Sequence, residues 1–299
     1  MSMPAGTRPP APTLRTTGVS PRVVSALTAL GLVMAIGAWL LGQSTQVPAS
    51  AMAFMIGWLV LSTVCSALLT PRNLVLGFLG ALLGLLVAWR IAGFYGVAWV
   101  WVPLLGAFMA SVWMFFASAR ADLRAPLPAL SRAEWHLAFL RIYAGFDMVP
   151  HCTEKLFAGP APFMDDVKAF AAMGLPWPEA FVVVGGLCEL GIAIGIGMGV
   201  LTRLAALGAT LYFLIATLAG GHFGLGFIWA SPGGGWEYPV LMMVIYLSFA
   251  WRGAGRFSVD GEWLASGRLP GALRVLAQRR DGGHTRAADT AAPRPTGLR

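Results

Sequence analysis

Apolar residues run through this chain in long blocks, and the breaks between blocks fall on Gly, Pro and Arg. A helix needs about 20 mostly apolar residues to cross a bilayer. That rule predicts about eight spans, over 23–43, 51–70, 73–93, 97–118, 135–154, 180–200, 204–220 and 237–252. The third and fourth are joined by a short turn around Gly93 and Gly96. The fifth is the least apolar, because Arg141, Asp147 and His151 interrupt it. After the first block comes QVPASA, which resembles a cleavage site. The apolar run before it is about 20 residues, longer than the roughly 7–15 of a signal peptide, so the block is read as a retained anchor.

Composition agrees with the pattern. Of 299 residues, 57% are hydrophobic and 11% charged, against about 25% charged in soluble domains. The fold class is all-α integral membrane. The net charge of +8 would suit nucleic acid in a soluble protein, but its distribution excludes that reading. Arg8, Arg15 and Arg22 precede the first span and Arg72 follows the second. Arg120, Arg124 and Arg132 separate the fourth and fifth, Arg203 the sixth and seventh, and Arg252, Arg256 and the tail follow the eighth. The other side has Lys155 and Lys168, with Arg90 near the end of the third span. Positive charge marks the cytoplasmic side. The expectation is a multi-pass protein of a bacterial-type inner membrane, bilayer around it, with both termini cytoplasmic.

The ends are of low complexity. Residues 1–22 are rich in Pro, Thr and Ala and 263–299 form a basic tail, both read as disordered and cytoplasmic. A cytoplasmic linker, 119–134, divides four apolar spans (23–118) from four that carry nearly all the intramembrane polar groups. Cys65, Cys152 and Cys188 show neither CxxC nor metal spacing and are read as apolar thiols.

Ionisable groups at membrane depth are costly, about 2.5–3.5 kcal/mol each, and so mark functional sites. In LRIYAGFDMVPHCTEKLF, Arg141 lies about 10 Å and Asp147 about 20 Å from the cytoplasmic end of the fifth span. Asp147, His151 and Glu154 share a face at i, i+4, i+7. Pro150 removes a helix bond and frees the Phe146 carbonyl, which predicts a kink there. Glu189 lies near the middle of the sixth span, among glycines that allow close helix approach. Depth makes Arg141 its expected partner. The stretch GGHFGLGFIWASPGGGWEYP (220–239) joins the last two spans on the outer side, its glycines permitting an irregular fold over the bundle mouth. Trp229, Trp236 and Tyr238 suit the membrane interface, and Glu237 suits the start of a helix. Four segments thus bring Asp147, His151, Glu189, His222 and Glu237 to one half of one bundle.

LRIYAGFDMVPHCTEKLFAGP resembles the first helix of the DoxX/DoxD family. CELGIAIGIGMGVLTRLAAL looks like its second, and GGWEYPVLMMVIYLSFAWRGAGRFSVD like its last helix and closing signature. The likeness covers about 135–262, and Gly-Trp-Glu-Tyr-Pro points to the DoxD side, the membrane subunit of thiosulfate:quinone oxidoreductase. It implies a four-helix DoxX-like bundle of helices 135–154, 180–200, 204–220 and 237–252. It also implies passage of electrons from thiosulfate to quinone, with a second oxidoreductase subunit as partner. The matching positions are Arg141, His151, Lys155, Glu189, Arg203, Glu237, Tyr238 and Asp260. Cys152 and Glu154 depart from the family's small residue and Gln, and the first four spans have no counterpart in it.

The polar constellation and the resemblance together make Arg141, Asp147, His151 and Glu189 the expected catalytic set, and His222, Trp236, Glu237 and Tyr238 the expected quinone site. His222, Tyr238 and His151 can donate hydrogen bonds to quinone oxygens, and Glu237, Glu189 and Asp147 can carry protons. Arg141, or the outward-facing Lys155, can attract a sulfur oxyanion. No flavin or dinucleotide motif is visible. His151 and Glu154 supply one His/Glu helix pair where a di-iron bundle needs two, so no metal is expected. A transporter would call for an inverted repeat, and none is visible. The alternative of another class is a non-catalytic membrane scaffold whose glycine-rich outer loop meets a partner.

Overall fold

The computed structural model describes residues 20–42, 48–95, 97–126, 128–265, 267 and 270–277. Most of the N-terminal segment, Gly96 and the tail beyond 277 lie outside the described residues. All regular structure among the described residues is helical.

The first half is four helices: α1 (Pro21–Leu40), α2 (Ala49–Leu69), α3 (Leu74–Tyr95) and α4 (Trp101–Arg124). Each packs against two others in a closed ring, α1 on α2 and α4, α3 on α2 and α4. Short connections make successive helices antiparallel, as in up-and-down bundles. Lipid supplies no hydrophobic drive between helices, so small residues and interhelical hydrogen bonds set such seams. On the α2–α3 seam the Ser62 hydroxyl donates to the Gly80 carbonyl at 2.6 Å. Asn73 starts α3, its Oδ1 accepting from the Val75 and Leu76 amides at 2.8 and 3.3 Å.

The second half opens with α5 (Arg132–Phe146) and α6 (Met148–Leu156). Next come α7 (Pro160–Ala172) and α8 (Pro178–Ile194), which a wider π turn at Gly195–Gly199 extends. Then come α9 (Thr202–Ala219), α10 (Glu237–Arg252), α11 (Val259–Ala265) and α12 (Gly271–Ala277). α6 packs on α8, α8 on α9, α9 on α10, and α10 returns to α5, which closes a second bundle. The halves share a core in which Val75, Met114 and Phe115 meet Trp135, Met198 and Phe257.

Among the described residues, six helices are long and apolar enough to cross a membrane: α1, α2, α3, α4, α8 with its π turn, and α9. The chain is a multi-pass helical membrane protein. The two other expected spans differ in kind. The fifth is not one helix over 135–154 but two, α5 and α6, joined at Asp147. Pro150 is the third residue of α6, where its missing N–H falls among donors that no helix bond would use. The eighth, α10, has 16 residues. The expected linker is shorter than 119–134 because α4 runs on through Arg124. Asp122 folds what remains, accepting from the Ala129 and Leu130 amides and the Trp135 indole at 2.7–3.0 Å. A Ser131–Glu134 capping box then starts α5. The helices α7, α11 and α12 were no part of the expectation. They are short or amphipathic and lack the uniform apolar block on which spans are recognised.

Candidate functional site

The break after α5 exposes Asp147 at the second bundle's interior. Its carboxylate accepts the Tyr238 hydroxyl from the first turn of α10. Phe146 and Val149, on either side of the break, face another way, into a crevice considered below. His151, one turn along α6, places its ring 6.5 Å from that of Tyr238.

The glycine-rich stretch between α9 and α10 folds back on itself over this point. The amides of Gly235, Trp236 and Glu237 donate to the carbonyls of Ile228, Gly226 and Phe227 at 2.9–3.0 Å. Gly226, Gly233 and Gly234 have φ of +91°, +84° and +73°, a region that other residues rarely adopt. The fold is pinned by His222, whose Nδ1 lies 2.8 Å from the Gly234 carbonyl. An aromatic ladder follows, His222 to Trp229 at 5.4 Å and Trp229 to Tyr238 at 5.3 Å. Trp236 packs edge-on against Phe227 at 4.8 Å. Glu237 begins α10 and accepts the Trp229 amide at 3.2 Å. The structure thus joins Asp147, His151, His222, Trp229 and Tyr238 in one continuous cluster beneath the glycine-rich loop.

A second cluster lies deeper, and here the expected pairing is wrong. Glu189 does not meet Arg141. Its Oε1 takes Lys155 Nζ at 3.2 Å and the Tyr212 hydroxyl at 2.6 Å. The Lys155 and Glu189 side chains are 10% and 6% exposed, so Lys155 turns inward instead of facing the outer solution. Gly185 and Gly186 of α8 make this approach possible. A Cβ at Gly186 would press against Leu156 and Lys155, and one at Gly185 would stand 3.6 Å from the Tyr212 hydroxyl. The other carboxylate oxygen, Oε2, is buried and has no hydrogen-bond partner among the described residues. Cys152 lies within electrostatic reach of Glu189 and Lys155, and Asp166 of α7 within that of Tyr212.

Arg141 is fully buried and belongs to a third group, at the opposite end of the bundle. The π turn leaves carbonyls of the α8 end without helix partners. Arg141 takes them up, donating to Ile196 and Gly197 at 2.8 and 2.5 Å and to Phe257 at 2.6 Å. Gly145 makes this possible, since a Cβ there would collide with the backbone of Gly197. Beside it Asp260 caps α9, accepting from the Leu201 and Thr202 amides and the Thr202 hydroxyl, each at 2.8 Å. Burial pushes the Asp260 carboxyl up, while those donors and the Arg141 charge pull it down. Arg203 donates to the carbonyls of Ala250 and Val275 at 2.8 and 2.7 Å, tying down the ends of α10 and α12. This end holds helices together; the acid–base groups lie elsewhere.

A crevice of about 260 Å³ opens between α3 and α4 on one side and α5 and the α8 end on the other. Its walls are Val, Leu, Ile, Met and Phe, with Tyr143 the only hydroxyl-bearing side chain among the described residues that line it. The polar clusters are elsewhere. No group of three His, Cys, Asp or Glu suited to a metal ion occurs among the described residues.

Tyr212 and Asp166 were missed from the sequence. Tyr212 had a signal, as the only tyrosine in an otherwise aliphatic and aromatic span. Asp166 had none, because its helix does not cross the membrane.

Fold and site define a multi-pass helical membrane protein with a buried acid–base cluster inside its second bundle. Residues 136–222 match the DoxX family model. The matched segment runs from α5 to the start of the glycine-rich loop and holds Glu189, Lys155, Tyr212 and Arg141. The first bundle and α10, with Glu237 and Tyr238, lie outside it. No curated protein and no solved structure matches the chain.

Proposed function

We propose that the protein is a quinone-linked oxidoreductase, or the membrane subunit of one, acting in sulfur or redox metabolism. The observation that supports it best is the unpartnered, buried Oε2 of Glu189. A buried acceptor without a donor costs about 1–3 kcal/mol or more, and a hydroxyl or a proton arriving there removes that cost. The donor set around it suits a quinone: Lys155 and Tyr212 are donors, Glu189 an open acceptor, and the surrounding helices are apolar. Bound there, such a group supplies uptake of two electrons and two protons at its carbonyl oxygens. Lys155 and Tyr212 hold the Glu189 carboxylate by Oε1, which leaves Oε2 open to take or give a proton. Asp147, Tyr238 and His151 lie between this cluster and the outer loop and serve proton exchange with that side. The electrons come from a sulfur oxyanion such as thiosulfate, two of which join through an S–S bond as two electrons leave, which calls for the second subunit as its docking partner. The bacterial-type inner membrane, with both termini cytoplasmic, is the setting the arginine distribution favours.

The test is anaerobic reduction of a short-chain quinone by the purified chain in lipid, with thiosulfate and sulfite as donors. Glu189→Gln is expected to lose about a hundredfold or more of the rate per folded molecule, the scale of a removed acid–base group. Full activity in that variant overturns the assignment.

One observation favours a second reading. Phe223, Leu225, Phe227, Ile228 and Trp229 of the outer loop are exposed together, and such apolar clusters mark contact with a partner or a lipid surface. A scaffold that holds a redox partner by this loop would co-purify with it in fixed stoichiometry and reduce no quinone with either donor.

A further inference from the structure

The crevice between the bundles takes no part in the proposed chemistry, yet its surroundings are specific. Phe116 of α4 and Phe139 of α5 form its rim, their rings 5.8 Å apart. Both are exposed, as is Tyr143 at 58%, so the crevice opens sideways into the bilayer. One helical turn beyond Phe116, toward the arginine-rich face, comes Arg120. One turn before Phe139 comes His136, and one turn further Arg132. All three are exposed. Neither Arg120 nor Arg132 pairs with an acidic side chain among the described residues. The carboxylates on the same segments are otherwise engaged, Asp122 in folding the linker and Glu134 in the capping box. A hydrocarbon slot within the membrane therefore ends, at the membrane surface, in unneutralised positive charge.

We propose that this crevice binds one anionic phospholipid from the leaflet on the arginine-rich face. An acyl chain occupies the apolar walls, and the phosphate sits against Arg120 and Arg132, with His136 beside them. The charge complementarity singles out this occupant. A quinone ring in the crevice would find one hydroxyl, that of Tyr143, and no other donor, and a second protein chain would have to enter through the lipid side. Cationic residues at a membrane surface favour anionic headgroups over zwitterionic ones.

The test is native mass spectrometry of the full chain in detergent, with equimolar dioleoyl phosphatidylglycerol and phosphatidylcholine added. The wild type is expected to retain one phosphatidylglycerol per chain, preferred by about twenty-fivefold, from roughly fivefold for each of two arginines near the headgroup. Arg120→Gln with Arg132→Gln, both on the surface, should bring the preference close to parity. Phosphatidylglycerol carrying a photoreactive acyl chain should crosslink to Val112, Phe116 or Phe139. Equal retention of the two lipids, a preference that survives the double substitution, or crosslinking elsewhere overturns the proposal. So does displacement of the bound lipid by decylubiquinone, which would make the crevice a quinone site instead.

Discussion

Glu189→Gln, combined with Lys155→Met in a double-mutant cycle, tests the assignment on which the acid–base cluster depends. In the native protein Lys155 Nζ stands 3.2 Å from Glu189 Oε1, with the side chains 10% and 6% exposed. Replacing the carboxylate alone strands an ammonium where water barely reaches. Breaking a buried pair from one side costs about 3–5 kcal/mol, because the remaining charge is uncompensated. Removing the lysine alone leaves a carboxylate held by Tyr212 only. With both replaced no charge remains, and the loss should be smaller than the two single losses added. The expected coupling is about 2 kcal/mol, the scale of a charge-assisted hydrogen bond. Neutral hydrogen bonds between membrane helices average only about 0.6 kcal/mol by the same method, so the two cases can be told apart. Reversible unfolding in mixed micelles against increasing SDS fraction gives the four free energies. A coupling below about 0.5 kcal/mol, or a stronger coupling of Glu189 to Arg141→Met, would refute the pairing.

Other expectations follow from the same contacts. Gly145→Ala should destabilise by about 1–3 kcal/mol, the range for overpacking, because its Cβ meets the Gly197 backbone. Gly208→Ala, with nothing within 4 Å, should be neutral or slightly stabilising in the same unfolding assay. Equal effects at the two glycines would deny the close approach of α5 to the π turn. Asp260→Ala removes the acceptor of three donors at the start of α9 and should cost about 0.5–2 kcal/mol, as lost caps do. A loss no larger than that of a surface substitution would count against the cap. Trp229→Ala breaks the ladder between His222 and Tyr238. Hydrogen exchange should quicken in the loop from 220 to 236 while α9 stays protected, and an unchanged loop would mean that the aromatics do not hold it down.

How far the sequence reaches is clearest at Arg141 and Glu189. Counting residues at about 1.5 Å of rise gives depth along a helix, and Glu189 belongs to a helix long and apolar enough to cross a membrane. Counting says nothing of which way each helix turns about its axis. Counting along a straight span sets Lys155 at its far end, and only the break at Asp147 and the packing of α6 and α9 on α8 bring Lys155 and Tyr212 to Glu189. The same limit hid the end of α8. Its glycines announce close packing, but the π turn whose carbonyls Arg141 takes up packs on Gly145, a partner on another helix. Asp147 was legible as a polar interruption and Pro150 as a break, while the reach of Tyr238 across the bundle was not.

The sequence by itself determined that this chain crosses the membrane many times, that its second half bears the ionisable groups, and that 220–239 is an irregular glycine-rich cover. These are one-dimensional quantities: length of apolar runs, sign of flanking charge, backbone freedom at glycine. The tertiary structure decided who meets whom. Lys155 neutralises Glu189, Arg141 serves the backbone, and the crevice belongs to both bundles. A partner in a helical membrane protein is fixed by rotation and register between helices, which depend on small residues meeting across a seam, and no single strand of sequence contains both sides of that contact.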